Sequence, residues 1–497
     1  MPAPDRSAPT GLTRQMGLLA LSATGICSML GAAINIIPFT LQRSIPEVGP
    51  HVLQIYFFAA IPALLAAFAY AILASAMPRA GGSYIYASRA LTPYLGFVAS
   101  FSQWFGLSIA IGVVSYVTVA FLRDIAVAMT WSGLAEALSS GPLRVVLPLL
   151  FLWTFVGVNI LGLRLYERTL IPLMFLMFAL GAVVIVAGFL FDHGDFAAAL
   201  AARGDTLPDV PVRPLTIGTF LAAGATLFAS FIGFDSIAQA GGEARDPSRN
   251  LPRAIFIAIA TVGGFYMLFT AAVYHAVPWQ FVQAASRDAD ITAPGLLGYL
   301  LSPGWTVLIV AGAAIALIND LPAMLLAVSR LMFAWAEDGI FPRSVARVNR
   351  RYHTPHVAIM LSGLVASGGI LGCHLAGDFF LGVDILVTSM LVNFLLMCLS
   401  VLFLPRRNPA LAARIAVVSS ATVRKAIAIG GAVLLAAFLV THIVKDLGND
   451  AGAWYFYSTP VWLLVMAAAT VIYAREKAAL RRSGIDLAHR FSTLPPE

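Results

Sequence analysis

Apolar runs of membrane-crossing length follow one another along almost the whole chain, separated by short polar stretches. About 20 consecutive apolar residues suffice for a helix to cross a bilayer. Twelve runs meet this length, at about 16–38, 49–77, 93–122, 144–162, 167–190, 215–241, 254–278, 303–335, 355–374, 379–404, 424–444 and 454–474. The pattern predicts an all-α polytopic membrane protein. Two runs depart from it in the middle. The sixth, within Leu215 to Arg253, starts as an apolar helix but carries Gly224, Ser230, Gly233 and Asp235 at the depth where a helix should be most uniform. The first contains GICSMLGAAINIIP at 25–38, with Gly25, Ser28, Gly31, Ala32, Ala33 and Asn35 forming a small, polar middle. A break in a membrane helix leaves N–H and C=O groups that hydrocarbon cannot satisfy. Small residues also let helices pack closely. First and sixth are matching places if the chain is two five-helix repeats plus two further helices, and paired interruptions at matching places point to a transport site.

Charge decides orientation. With the N-terminus on the cytoplasmic side, 24 of the 31 Lys and Arg residues fall in cytoplasmic loops and tails. That bias supports an even number of spans with both termini cytoplasmic. The net charge of +7 therefore marks loops and not a nucleic-acid surface. Composition agrees, with 60% hydrophobic and 11% charged residues in 497, against about 25% charged in soluble domains. Cys27, Cys373 and Cys398 lie in apolar runs with no disulfide or metal spacing and are expected as small core residues. The polar N-terminus MPAPDRSAPTGLTRQ has no signal-peptide core, so no cleavage is expected.

Four further stretches carry candidate chemistry. MPRAGGSYIYASRALTP, residues 77–93, is broken by Pro78, Gly81 and Gly82, and its tyrosines and arginines suit a re-entrant or surface helix at the cytoplasmic interface. Gln103 and Trp104 in the third span either line a path or bond across helices. The outer segment 191–213, with Asp192, Asp195, Asp205 and Asp209, reads as a solvated loop. In the eighth span Asn319 and Asp320 lie about halfway across, counting about 1.5 Å per residue from Gly304, and Pro322 removes the N–H that would bond the Ile318 carbonyl. A mid-membrane carboxyl must face a cavity or a partner. A cation, a proton or a helix–helix hydrogen bond would each use this pair. Asp384, near the outer end of the tenth span, suits a solvent-facing role. His51, His275, His353, His356 and His374 form no nucleophile or metal constellation, so no enzyme, cofactor or metal site is expected.

Three motifs in register resemble amino acid permeases of the amino acid–polyamine–organocation superfamily. FIGFDSIAQAGGEARDPSRNLPRAI, residues 231–255, is similar to the family's sixth-helix signature, MPRAGGSYIYASRAL to its loop after helix 2, and LLAVSRLMFAWAEDGIFP, residues 325–342, to its helix 8 ending. The similarity runs from about 16 to 405. It implies 12 transmembrane helices in a leucine-transporter-like 5+5 inverted repeat, with helices 1 and 6 discontinuous. It implies a substrate carboxylate held by N–H groups of Gly31, Ala32, Ala33 and Ile34, and an ammonium held by carbonyls of Ala229, Ser230 and Ile232. A gating aromatic of helix 6 falls at Ala229, leaving Phe228 and Phe231 beside it as gate candidates. Asn319 and Asp320 take the coupling or ion position. The chain departs from the family pattern at Cys27, Ala33 and Asn35, and Met177 falls where some proton-coupled members carry lysine.

The expected division is a cytoplasmic tail 1–15, a first repeat 16–190, an extracellular or periplasmic loop 191–213, a second repeat 214–404, a cytoplasmic loop 405–423, helices 11–12 over 424–474, and a cytoplasmic tail 475–497. The expected function is secondary active transport of amino acids or related amines across a plasma membrane of the bacterial inner-membrane type, coupled to H+ or Na+. Two alternatives stand beside it: a polyamine or organic cation carrier using Asp320, and a membrane sensor that binds without transporting.

Overall fold

A computed structural model describes residues 12–288, 291–376, 379–448 and 453–495. Residues 1–11 of the expected N-terminal tail and 496–497 of the C-terminal one lie outside the described residues. Among the described residues eleven helices are long and apolar enough to cross a membrane, and the sixth run is a shorter apolar helix, Ile217–Phe231. No strand is present among them; two isolated bridges, Met16 to Ala244 and Ala80 to Ala240, are the sheet-like contacts. The first, third, eighth and tenth spans form the centre: the first is 94% buried and the third 83%, against 28% for the fourth, fifth, eleventh and twelfth, which have broad apolar faces outside.

The first span is two helices, Leu18–Met29 and Ala32–Ser44, separated where Leu30 (ψ 58°) and Gly31 (ψ −134°) leave helical geometry. The sixth run starts at a Thr216–Thr219 capping box, runs as Ile217–Phe228, tightens into a 3-10 turn at Ala229–Phe231, and then unwinds. Ile232 is extended, and helix returns only as the single turn Ser236–Gln239. This unwinding is why the sixth run falls short of the expected 215–241. Gly224 does not take part in it. It lies inside the helix, and a Cβ there would sit 3.0 Å from the Phe438 ring, so its smallness serves packing.

The two breaks cross each other. Gly233 has φ 135°, and its missing side chain gives room to the Ser28 carbonyl, with the Met29 nitrogen 2.8 Å from where a Cβ would stand. Only glycine tolerates that backbone and that approach together. Ser28 and Ser236 hydroxyls join across the crossing at 2.9 Å. The Met29 carbonyl, at the helix end, accepts from the Gly31 N–H and from the Tyr266 hydroxyl. Asp235, buried in the unwound stretch, accepts from the Gly233 N–H at 3.1 Å and from the Gln103 amide. Gln103 thus bonds across helices. The chain continues through Gln239 to Ser83 (2.8 Å), Tyr70 (2.7 Å) and Asn393 (2.6 Å), so the polar groups freed by unwinding are paired with buried side chains from four other segments.

The three sequence motifs meet at one end of the bundle. The helix Gly82–Ala90 is buried along its whole length. Of the two expected readings, re-entrant or surface, burial excludes the surface one, and Arg89 is paired with Asp338 at 2.6 Å inside the protein. Burial works against that guanidinium, yet the adjacent Asp338 carboxylate holds its pKa above the ordinary value. Arg330 forks onto Glu243 at 2.6 and 3.0 Å, both side chains buried, and the Glu243 carbonyl accepts from Gln15 and Met16. Residues from the C-terminus cover this end: Thr493 and Pro495 carbonyls accept from Arg89 and Arg79. At the other end, 191–213 is only partly loop, since Asp192 and Asp195 form a capping box that starts the helix His193–Ala201.

Candidate functional site

A cavity of about 70 Å³ lies where the two broken segments face the third, eighth and tenth spans. Ser28, Gly31 and Ala33 line it from the first break, Ala229 and Ile232 from the sixth, and Asp320 and Met324 from the eighth. The third span contributes Ala110, Val113, Val114 and Val117, and the tenth Gly382, Val383 and Leu386, each set at helical spacing. The walls are apolar apart from Ser28, backbone at the two breaks, and one carboxyl.

That carboxyl is Asp320. It is the only ionisable side chain among the described lining residues, it is 3% exposed, and its Oδ1 has no hydrogen-bond partner. Its Oδ2 packs on Gly31, so closely that a Cβ on Gly31 would overlap it. Asn319, one residue earlier, points elsewhere. Its amide donates to the Leu170 carbonyl at 3.2 Å and to Cys27 Sγ at 3.1 Å, tying the eighth span to the fifth and first. The sequence treats the two residues as one cluster; the helix separates them, because adjacent residues point about 100° apart.

Backbone polarity at the site follows from the breaks. Gly31 donates to the Met29 carbonyl at 3.0 Å, so its N–H is engaged. Ala33 and Ile34 donate to no backbone carbonyl, as expected for the first turn of the helix beginning at Ala32. The Ala229 carbonyl accepts from Ile232 at 3.2 Å, while those of Ser230 and Ile232 accept no backbone N–H. Ser230 is buried beside the cavity without lining it, and its hydroxyl has no hydrogen-bond partner. The Ile34 side chain and Asn35 face a separate small cavity with Met177. Phe228 packs on Phe394 and Phe438, and Phe231 on Tyr56 and Tyr266, so neither of these aromatics lines the cavity. Phe379, at its edge, does.

The site adjoins larger spaces on the side away from the Arg330–Glu243 pair. One cavity of about 600 Å³ shares Ile37 and Val383 with it and carries Arg43, Asp384, Lys445 and Asp446 on its walls. Another, of about 230 Å³, shares Ile36, Val117 and Phe379. The third- and tenth-span walls are absent from the sequence reading. Their signal, aliphatics spaced three and four apart, is the same signal that any packed helix face gives.

The chain matches a family model described as amino acid permease over residues 16–468. It is 24% identical over 497 residues to a branched-chain amino acid permease of Bacillus subtilis, covering 96% of each chain. It is 23% identical over 499 residues to the methylthioribose transporter of the same organism, covering 96% of this chain and 97% of that one. It is 26% identical over 397 residues to cationic amino acid transporter 4 of Mus musculus, where the match covers 73% of this chain but only 56% of the relative. All three relatives are named as transporters or permeases, not enzymes.

Proposed function

The chain belongs to the amino acid permease family of the amino acid–polyamine–organocation superfamily, and on that premise we propose that it is a secondary active transporter of amino acids or related amines. The observation that carries this reading is that both helix breaks open on one small, largely aliphatic cavity. A half-helix N-terminus carries about half a positive charge and a half-helix C-terminus about half a negative one. A guest lying between Ala33 and Ile232 meets both, with no charged side chain needed for a zwitterion.

Transport proceeds by alternating access in a 5+5 inverted repeat, with the first and sixth segments moving between two closures. The end held by Arg330–Glu243 and Arg89–Asp338 is the cytoplasmic one, closed here, because it gathers the arginine-rich loops. The membrane is a plasma membrane of the bacterial inner-membrane type. Ala32, Ala33 and Ile34 N–H groups take an anionic group, and the Ala229, Ser230 and Ile232 carbonyls take an ammonium. Asp320 faces the guest or the coupling ion, and Asn319 positions the first helix through Cys27. Phe228 and Phe231 act as gates only by displacing the aromatic clusters they now fill, whereas Phe379 already stands at the rim.

The test is uptake into proteoliposomes of a radiolabelled panel of amino acids and amines, with and without H+ or Na+ gradients. Saturable uptake of at least one, abolished by Gly31→Trp, is expected. Absence of flux and exchange for every member of the panel overturns the reading.

A further inference from the structure

We propose that Asp320 takes the place of the guest's own carboxylate, so that the site selects a short aliphatic monoamine, a decarboxylated amino acid, over the amino acid itself. This rests on the transporter reading above. Three observations converge on it. First, the half-helix Ala32–Ser44 presents donors at Ala33 and Ile34 that are unused by backbone carbonyls, the natural seat of a guest carboxylate. Second, a carboxylate already lies against that seat. Asp320 reaches from the eighth span onto Gly31, the residue that caps the half-helix, and a Cβ on Gly31 would stand 3.1 Å from its Cγ. Third, Asp320 is buried, its Oδ1 is unpartnered, and no Lys, Arg or His shares the described walls of the cavity.

A buried carboxyl is charged only beside a cation and otherwise keeps its proton. The walls do not supply that cation, so the guest does. An incoming amino acid would bring a second carboxylate to the end that Asp320 already faces, and like charges there oppose each other. A primary amine brings only the missing positive charge, which meets Asp320 on one side and the Ile232 carbonyl on the other. The rest of the guest must be apolar, because Val113, Val114, Ile232, Met324 and Leu386 form the remaining wall. It must also be short, given about 70 Å³. A second ammonium, as in a diamine, would be buried without a partner.

Matched probes separate these cases: 3-methylbutylamine, leucine with its carboxylate removed, against leucine itself, with 1,4-diaminobutane as the diamine. In proteoliposomes of the full-length protein, 3-methylbutylamine is taken up about tenfold or more better than leucine, the scale of changing one close charge contact. Unlabelled leucine and 1,4-diaminobutane compete with it poorly. Asp320→Ala reverses the order, because leucine then caps the half-helix with its own carboxylate. Asp320→Asn, which keeps the shape, loses amine uptake while the protein remains monodisperse. Wild-type protein that prefers leucine, or that leucine and 3-methylbutylamine inhibit equally, overturns the proposal and leaves the transporter reading standing. This comparison needs no variant to fold. No uptake of any amine or amino acid overturns both.

Discussion

The crossing of the two breaks gives the most direct handle on the fold. Gly233→Ala adds one methyl at a residue with φ 135°, where the built Cβ overlaps the Ser28 carbonyl and lies 2.8 Å from the Met29 nitrogen. Two costs combine. An L-residue in that backbone region costs about 1–3 kcal/mol. Crowding a packed interior costs a further amount of about 1–3 kcal/mol, and here the obstacle is backbone, which cannot rotate away. A loss of about 3 kcal/mol or more is a large share of a typical stability of about 5–15 kcal/mol. Gly263→Ala is the control. It lies in the helix Pro247–Ala276, its Cβ would meet only the Phe231 ring at 3.8 Å, and replacing a helical glycine gains about 0.5–1 kcal/mol. Thermal unfolding of both variants in detergent, followed by tryptophan fluorescence, is the assay. Gly233→Ala is expected to melt several degrees below wild type and Gly263→Ala at or above it. A Gly233→Ala protein that melts with its control refutes the crossing of the two unwound segments.

The other predictions concern the two ends. Glu243→Gln leaves Arg330 buried and unpaired and should cost about 3–5 kcal/mol. Pairing it with Arg330→Met should recover part of the loss of monodisperse protein on size exclusion. Truncation after Ser483 removes the Thr493 and Pro495 carbonyls that accept from Arg89 and Arg79. About 1.5–3 kcal/mol is expected for each charge-assisted bond lost, read as a lower melting temperature. Asp192 is held below its ordinary value by the N–H groups of Asp195 and Gly194. A depressed pKa means that its stabilisation is present above the ordinary carboxylate range and is lost as pH falls through the lowered value. Protection of the Gly194 and Asp195 amides, taken against their intrinsic exchange rates at each pH, should therefore fall in acid, and in Asp192→Ala it should be low and independent of that titration.

The helices were legible because lipid demands long apolar runs, and the breaks because small and polar residues stand out within them. Their placement was less so. Gly224 and Gly233 look alike in a sequence, yet one makes room for the Phe438 ring and the other for a crossing backbone. Which glycine breaks the helix depends on what passes beside it. The stretch 77–93 has the tyrosines and arginines of a membrane interface, and its burial depends on Asp338, some 250 residues away. Asp320 was legible as a mid-membrane carboxyl, but its contact with Gly31 was not, since no spacing links the eighth span to the first. The aliphatic walls from the third and tenth spans gave no distinctive signal, because a cavity wall and a packed face share one periodicity. What the three motifs have in common became clear only in space, where they interlock through Gly81, Gln239 and Arg330.

The central claim is that a guest binds between the first and sixth breaks. Ala229→Cys, in a background where Cys27, Cys373 and Cys398 are replaced by Ala, tests it, because Ala229 lines the cavity and is then the sole thiol. Labelling in proteoliposomes with a small water-soluble thiol reagent is measured with and without a transported substrate. Labelling of Cys at this position is expected, with protection by substrate at concentrations that saturate uptake. Labelling that a transported substrate leaves unchanged would place the binding site elsewhere and contradict it.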